Sequence, residues 1–583
     1  MSSTGLLSRG LLYARTARNL RWQQWVYRAV RRVQARRGIR FQIAIDAVPA
    51  RTAGLAEAVC CWWEAEPASL RRADEIVGGV FRFLNHAESI PAVSWDRRYV
   101  SHLWSYNLHY FDYALDLARA FRSTGETPYA QHFAALAESW ISGTTAGRGD
   151  GWEPYPVSLR VVNWLYALLL CGDAIDARQR SAIEASAAQQ LGFLERRLEY
   201  HILANHLQKN LKALVIGGLY FDGPHAERWL RRGSRLLWRE LFEQVLADGG
   251  HFERSPMYHA IALADFLEVM ALMDAAGQPV PSEARARVAR MVEAFGVLSR
   301  ADGRLHLFND AANGIAPPRS WIDAMAKRVV GGGVPDPGGI VSLPDTGYYG
   351  LVLAADGARL LIDCGEPGPR YQPGHAHCDL LSFELDVGGE SVVVDSGVSG
   401  YEGDALREYV RSTRAHNTVL IGGMEQAEIW GVFRMARRPR VYGAKQQLES
   451  GVYRFSGSYS PYHGRNIEHT REVEHGGRTW TITDRVRGAP GAALTSFLHL
   501  HPDVIVEPLE RAFRLRTRSR TLLLEPFGVD AAAISAGVKD PPQGWYCPEF
   551  GVAVPNQVLV MHVSRNSGRE FGFVIREAGT ISQ

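Results

Sequence analysis

The chain has 583 residues, more than one compact core accommodates, so about two or three domains are expected. Hydrophobic residues make up 46% and charged residues 22%, an ordinary globular balance, and the net charge of +3 argues against a general nucleic-acid binder. The six cysteines (Cys60, Cys61, Cys171, Cys364, Cys378 and Cys547) show no CxxC repeat and no dense pattern, which argues against a zinc ribbon or a disulfide-stapled scaffold. No run of about 18 apolar residues stands out, so no membrane-spanning helix is expected.

Residues 1–40 carry ten Arg and no acid, and the first acidic residue is Asp46. Within "RWQQWVYRAVRRVQ" the residues Trp22, Trp25, Val26, Ala29 and Val33 follow helical spacing with arginines between them. The segment reads either as a basic amphipathic helix in contact with an anionic membrane surface or as a helix packed on the protein with a solvated basic face. The arginines interrupt any apolar h-region, so no standard signal peptide is visible.

From about residue 95 to 330 the pattern is helical. "YFDYALDLARAFRSTG" and "PYAQHFAALAESWISG" place apolar residues at three- and four-residue steps and stop at Gly. "VSLRVVNWLYALLLCGDAI", "YHILANHLQKNLKALVIGGLYF", "AERWLRRGSRLLWRELFEQVL" and "HAIALADFLEVMALMDAAG" continue in that style. Short connectors between successive helices predict an α/α arrangement of toroid type. After the linker "GGGVPDPGG" at 331–339 the grammar turns to strands. "GYYGLVLAADGARLLIDCG" predicts two strands around Asp356-Gly357, and "SFELDVGGESVVVDSG" two around Gly388-Gly389. "NTVLIGG", "GVYRFSGSY", "RTWTITDRVRG", "RTLLLEPFG" and "VLVMHVSR" extend the β pattern, as in an antiparallel β-sandwich. The expected division is α+β and multidomain: a basic segment with lead-in helices at 1–94, an α/α toroid at 95–335 and a β-sandwich at 340–583. The 15 Trp and 22 Tyr either fill these cores or line a sugar-binding cleft.

Three stretches carry polar residues suited to chemistry. In "ANHLQKN", Asn205 and His206 lie off the apolar stripe Leu203, Leu207, Leu211 and Leu214. They read as a solvent-facing pair or as a helix end delivering an amide and an imidazole into a cleft. In "GGHFERSPMYHAIALADF", Gly249, Gly250 and Pro256 make a loop entering a helix, with Glu253, Tyr258 and His259 held there. In "GHAHCDLLSFEL", a strand starting at Gly374 would put His375 and His377 on one face. His377, Asp395 in "VVVDSG" and His416 in "RSTRAHNTVLIGG" are residue types that bind Zn²⁺ and would come from successive strands; ordinary polar strand residues are the alternative.

Together "WEPYPVSLRVVNW", "NHLQKNLKAL", "FERSPMYH", "GHAHCDLLSFEL", "VVVDSG" and "RSTRAHNTVLIGG" stand in the order seen in the heparinase II/III family of polysaccharide lyases, and the chain resembles that family, and certain alginate lyases, over roughly residues 95–510. The resemblance implies an N-terminal (α/α) toroid, a C-terminal antiparallel β-sandwich, and β-elimination at a uronic acid in an anionic polysaccharide. It implies that Asn205 and His206 bind the uronate carboxyl, that Tyr258 protonates O4 and in one stereochemical case also acts as the base, and that His375 is a second acid/base or tunes Tyr258. Glu253, Arg160 and Arg411 are the implied substrate contacts, although either arginine also reads as a structural ion-pair member. A structural zinc on His377, Asp395 and His416 is implied as well.

The resemblance places the protein in the periplasm or cell envelope, with the cytoplasm the alternative because no clear signal peptide is seen. Two other functions compete. A glycoside hydrolase needs two carboxylates flanking the scissile bond, for which Glu153 and Glu253 are the candidates. A polysaccharide-binding protein without catalysis would keep only the cleft.

Overall fold

The computed structural model describes residues 3–37, 54–62 and 67–578; the end of the basic segment past 37 and Asp46 lie outside them. Among the described residues, fourteen α-helices precede the strand-rich part, interrupted only by a hairpin, Val80–Phe83 with His86–Ser89. Local chemistry sets the helix ends. Pro154–Cys171 starts with Pro in its first turn and stops before Gly172, and Pro256–Ala275 starts with Pro behind a Ser255 cap. Ala204–Tyr220 and Pro224–Gln244 form an antiparallel pair whose closeness needs Gly218, because a Cβ there would lie 2.5 Å from the Leu230 amide nitrogen. Pro154–Ala174 and Pro256–Ala275 are apolar and long enough by composition to cross a bilayer, and both are mostly buried as core helices of the helical region.

The last helix of this series, Arg319–Val330, and the first strand of the β region, Gly339–Leu343, lie on either side of the Pro/Gly linker. A five-stranded meander runs through Gly339–Leu343, Tyr348–Leu353, Ala358–Asp363, Phe383–Val387 and Glu390–Val393, with the turns at the expected glycines. An eight-stranded sheet orders Arg440–Glu449, Val452–Ser460, Glu468–Gly476, Thr479–Arg487, Phe571–Glu577, Thr521–Phe527, Phe513–Arg516 and Ile505–Pro508. A four-stranded sheet orders Ala531–Ala536, Gln557–Val563, Leu494–His499 and Val419–Ile421. The ladders of all three sheets are antiparallel. Alternate residues such as Trp480, Ile482, Phe573 and Ile575 share one core with Ile362, Phe383 and Met561, so the period-two pattern of these strands is spent on burial between sheets. Buried ion pairs hold this region: Glu384 accepts from Arg300 of the helical region (2.7 Å), and within the sheets Asp484 accepts from Arg471 and pairs with His469 (both 2.8 Å).

The helical core continues into Tyr371, Val398, Tyr409, Val410, Ala415, Cys547 and Phe550, which belong to loops and a short helix, Ala405–Arg411, of the strand-rich part. The two regions therefore meet along an apolar seam. His375 and His377 lie in a loop at this seam, not on a strand, since the strand begins only at Phe383. Asp395 and His416 likewise lie beyond or before strand ends, at Val393 and Val419. The strand grammar of these motifs is real, but the polar residues sit where the ladder stops: His375 and His377 reach Asp310 of the helical region, while Asp395 and His416 pair with each other.

Candidate active site at the seam between the two regions

Strained backbone gathers here. Leu203 and Ala204 take left-handed angles (φ 71° and 52°) directly before Asn205, and Arg254 (58°), Asn309 (57°) and Leu381 (61°) adjoin Glu253, Asp310 and the histidine loop. Each such non-glycine residue costs about 1–3 kcal/mol, which the surrounding packing must offset. The strain aims the first turn of Ala204–Tyr220 so that Asn205 meets Glu253. Glu253 Oε1 accepts from the Asn205 amide nitrogen (3.4 Å) and from its Nδ2 (3.2 Å), while Oε2 lies 3.5 Å from His375 Nε2.

His206 packs against Tyr155 with ring centroids 4.4 Å apart and planes tilted by 41°, and its Nδ1 is 3.2 Å from Glu199 Oε1. Burial works against its charge, but Glu199 outweighs burial and raises the imidazole above its ordinary pKa. Tyr258 enters from the first turn of Pro256–Ala275, where its amide is capped by Ser255 Oγ (3.3 Å). That same hydroxyl donates to the Asp310 carbonyl (2.7 Å), tying the helix start to the Asp310 loop. The Tyr258 ring stacks on His375 with centroids 3.9 Å apart, and its hydroxyl is 2.9 Å from that of Tyr401. Burial, then Tyr401, pushes the Tyr258 phenol well above its ordinary pKa.

Asp310 is the hub. Its Oδ2 pairs with His375 Nδ1 (2.9 Å), its Oδ1 with His377 Nε2 (2.7 Å), and Arg407 binds both oxygens. Burial would raise its pKa, but Arg407 outweighs that and holds the carboxyl well below the usual range. The seam therefore offers one amide and one imidazole, Asn205 and His206, at a helix N-terminus, where an anion is favoured, and beside them a phenol and an imidazole, Tyr258 and His375.

Two family models match the chain: Heparinase II/III N-terminus over residues 73–320, and Heparinase II/III-like, C-terminal over residues 335–574. The chain belongs to the heparinase II/III family. It is similar to a heparin-sulfate lyase of Pedobacter heparinus, 26% identical over 350 residues covering 54% of this chain and 51% of that protein. It is also similar to FtsZ-localized protein C of Caulobacter vibrioides, 24% identical over 326 residues covering 55% and 52%. The heparinase II/III chain thus spans about half the length of the curated relatives it matches. The crystal structure of heparinase III shares its fold with a TM-score of 0.71 at 19% identity, covering 88% of this chain and 85% of that one.

Within this heparinase II/III chain, Asn205, His206, Glu253, Tyr258 and His375 come together at the seam, but three expected roles change. Arg160 is fully buried, its guanidinium 3.7 Å over the Trp140 ring and bonded to Gln190 Oε1 (2.7 and 2.9 Å) and the His109 carbonyl (3.1 Å), so it holds helices together and does not face a sugar. Arg411 is 1% exposed and donates to the Gly431 (2.7 Å) and Ala376 (3.2 Å) carbonyls, which makes it a brace for the histidine loop. Glu253 is 1% exposed with its oxygens facing Asn205 and His375, so it positions those two residues.

The expected zinc ligands also rearrange. His377 Nδ1 and His416 Nε2 are fully buried without a hydrogen-bond partner, and with Asp379 they put three ligand atoms within 4.8 Å of one another. Two orphaned imidazole nitrogens beside a carboxylate fit a divalent ion with N and O ligands such as zinc. Asp395 instead lies 2.8 Å from the other nitrogen of His416, Nδ1, and so orients that ring.

Sequence reasoning missed Asp310, Tyr401, Arg407 and Glu199, none of which lies in a pattern that periodicity marks. Asp379 was findable, being the carboxylate two residues after His377 inside the quoted motif.

Proposed function

We propose that this chain is a polysaccharide lyase that cleaves a uronic-acid-containing polysaccharide by β-elimination and leaves an unsaturated uronyl end. The observation that carries this reading is the stacked Tyr258–His375 pair set beside Asn205 and His206. The C5 proton of a uronate is weakly acidic because it lies next to a carboxylate that must first be neutralised. Asn205 and the cation-favouring His206 bind that carboxylate and stabilise the enolate-like intermediate. His375, with Nδ1 held by Asp310, supplies Nε2 as the base that takes the C5 proton once substrate replaces the 3.5 Å contact of that nitrogen with Glu253 Oε2. The electron pair forms C4=C5, the C4–O4 bond breaks, and O4 receives the Tyr258 proton. A phenol whose pKa is raised stays protonated at neutral pH, which suits Tyr258 as donor and leaves the base role to His375.

The same reading takes the helices as an (α/α) toroid and the sheets as an antiparallel sandwich, supported by the likeness to heparinase III. His377, His416 and Asp379 would hold a structural zinc, with Asp395 steadying His416. When bound, the ion would pin the histidine loop to the segment around 416. A polysaccharide substrate makes the periplasm or cell envelope the expected compartment, which cell fractionation tests. Hydrolysis is disfavoured because Glu253, one of its two candidate carboxylates, is engaged on both oxygens.

The relatives named heparin-sulfate lyase make that polymer the first to test, followed by other uronate polymers. Wild type is expected to generate the ultraviolet absorbance of an unsaturated uronyl product, and Tyr258→Phe is expected not to. New reducing ends without that absorbance would overturn the lyase reading.

A further inference from the structure

The helix Trp22–Arg37 is docked with its polar side inward. Gln24 is buried and donates to the Tyr371 carbonyl (3.3 Å), Tyr27 packs on Tyr200 with ring centroids 4.6 Å apart, and Arg21 pairs with Glu243 (2.5 Å) and covers the Tyr371 ring (3.8 Å). The preceding helix, Ser3–Ala17, is fastened to the strand-rich region through Arg15–Glu428 (2.8 Å) and Thr16–Trp430 (3.0 Å). The apolar residues of Trp22–Arg37 therefore point away from the protein. Trp22 is 70% exposed and Trp25 50%, and Val26, Val30 and Val33 are exposed with them. Positions 22, 25, 26, 30 and 33 form one helical stripe. Beside it Arg28 and Arg32 are exposed and pair with no carboxylate among the described residues, in a stretch that carries no acid before Asp46.

A helix whose apolar face is turned to solvent while its polar face makes the internal contacts needs an apolar partner outside the protein. Two tryptophans with valines between flanking cations match the interface of an anionic bilayer, where indole rings sit at headgroup depth and arginines meet lipid phosphates. We propose that this outward face of Trp22–Arg37 is a docking surface for an anionic lipid bilayer. The inner side of the helix rests on Tyr371, in the loop leading to His375, and on Tyr200, shortly before His206. Docking would thus hold the seam end of the molecule toward the lipid surface.

The test uses the full chain in vesicle co-sedimentation, with vesicles of phosphatidylcholine alone and of equimolar phosphatidylcholine and phosphatidylglycerol. Wild type is expected to pellet with the anionic vesicles and at least about tenfold more weakly with the neutral ones. Trp22→Asp/Trp25→Asp and Arg28→Glu/Arg32→Glu are each expected to weaken anionic binding about tenfold or more, with unchanged circular dichroism and thermal unfolding because all four side chains are exposed. Absence of wild-type binding to either vesicle would overturn the proposal, as would equal binding by the Arg28→Glu/Arg32→Glu variant. So would a dimer that the tryptophan substitutions dissociate in protein showing no lipid binding, since the face would then belong to a second copy.

Discussion

The His375 ring lies against the Tyr258 ring, with centroids 3.9 Å apart and planes 28° from parallel. One comes from the loop at 374–382 and the other from the first turn of a helix, so the pair exists only where the two regions meet. The stack sets the imidazole, held by Asp310, directly against the phenol, held by Tyr401. Tyr258→Phe and His375→Ala should each lower turnover by about 10²–10⁴-fold. The double variant should fall little further than the worse single one, since both act in the same step. Steady-state kinetics on the cleaved polymer reads this; multiplicative losses would mean independent roles.

Asp310 sets the orientation of His375 through Nδ1, and Arg407 keeps Asp310 ionised. Asp310→Asn should lower kcat by about tenfold to a hundredfold with little change in KM. Arg407 would be left buried without its partner, so unfolding should become easier by about 3–5 kcal/mol. A stability loss with unchanged kcat in the folded fraction would reduce Asp310 to a structural role.

Elemental analysis should find zinc in wild type, and its removal by a chelator should lower Tm. His377→Ala, His416→Ala and Asp379→Asn should abolish zinc content. Asp395→Asn should keep the ion with affinity weakened by about 10–100-fold, as expected for a residue that orients a ligand. Zinc lost from Asp395→Asn and kept by Asp379→Asn would return Asp395 to the ligand set.

Two buried carboxylates predict acid sensitivity. Burial opposes ionisation of Glu384 and Asp484, but Arg300 and Arg471 outweigh it and pull both pKa values down to about 2. A depressed carboxylate contributes stability that is full above its ordinary value near 4 and lost as pH falls toward 2, amounting to about 2–3 kcal/mol for each group. Urea unfolding from neutral pH to about pH 3 should show that decline, and Asp484→Asn should flatten part of it. A flat wild-type profile would contradict the assignment.

Arg160→Gln should lower Tm by removing a stacked, fully bonded cation from the helical core, at a cost of about 2–4 kcal/mol. KM for the polymer should hold in the folded fraction. A raised KM with an unchanged Tm would put Arg160 back at the substrate.

Much of the fold was legible because burial imposes a period. Alternation in "RTWTITDRVRG" and three- and four-residue spacing in "YFDYALDLARAFRSTG" describe faces that must meet a core, and the structure buries those faces. The motif "GHAHCDLLSFEL" was read correctly from Phe383 onward and wrongly before it, because a strand pattern does not reveal where hydrogen bonding to a neighbour stops. Arg160 was misjudged for a related reason. An arginine inside an apolar helix reads as functional until Gln190 and Trp140, from two other helices, are seen to satisfy it.

By itself, the sequence determined the succession of helices and strands, the break at 331–339 and the motifs that place the chain in its family, since these follow from local spacing and residue type. Only the tertiary structure decided that Asp310 joins His375 to His377, that Asp379 rather than Asp395 faces the free imidazole nitrogens, and that the apolar stripe of Trp22–Arg37 looks outward. Those are relations between residues far apart in the chain, or between a helix face and the rest of the protein. Folding sets them through packing and electrostatics that no periodicity along the sequence records.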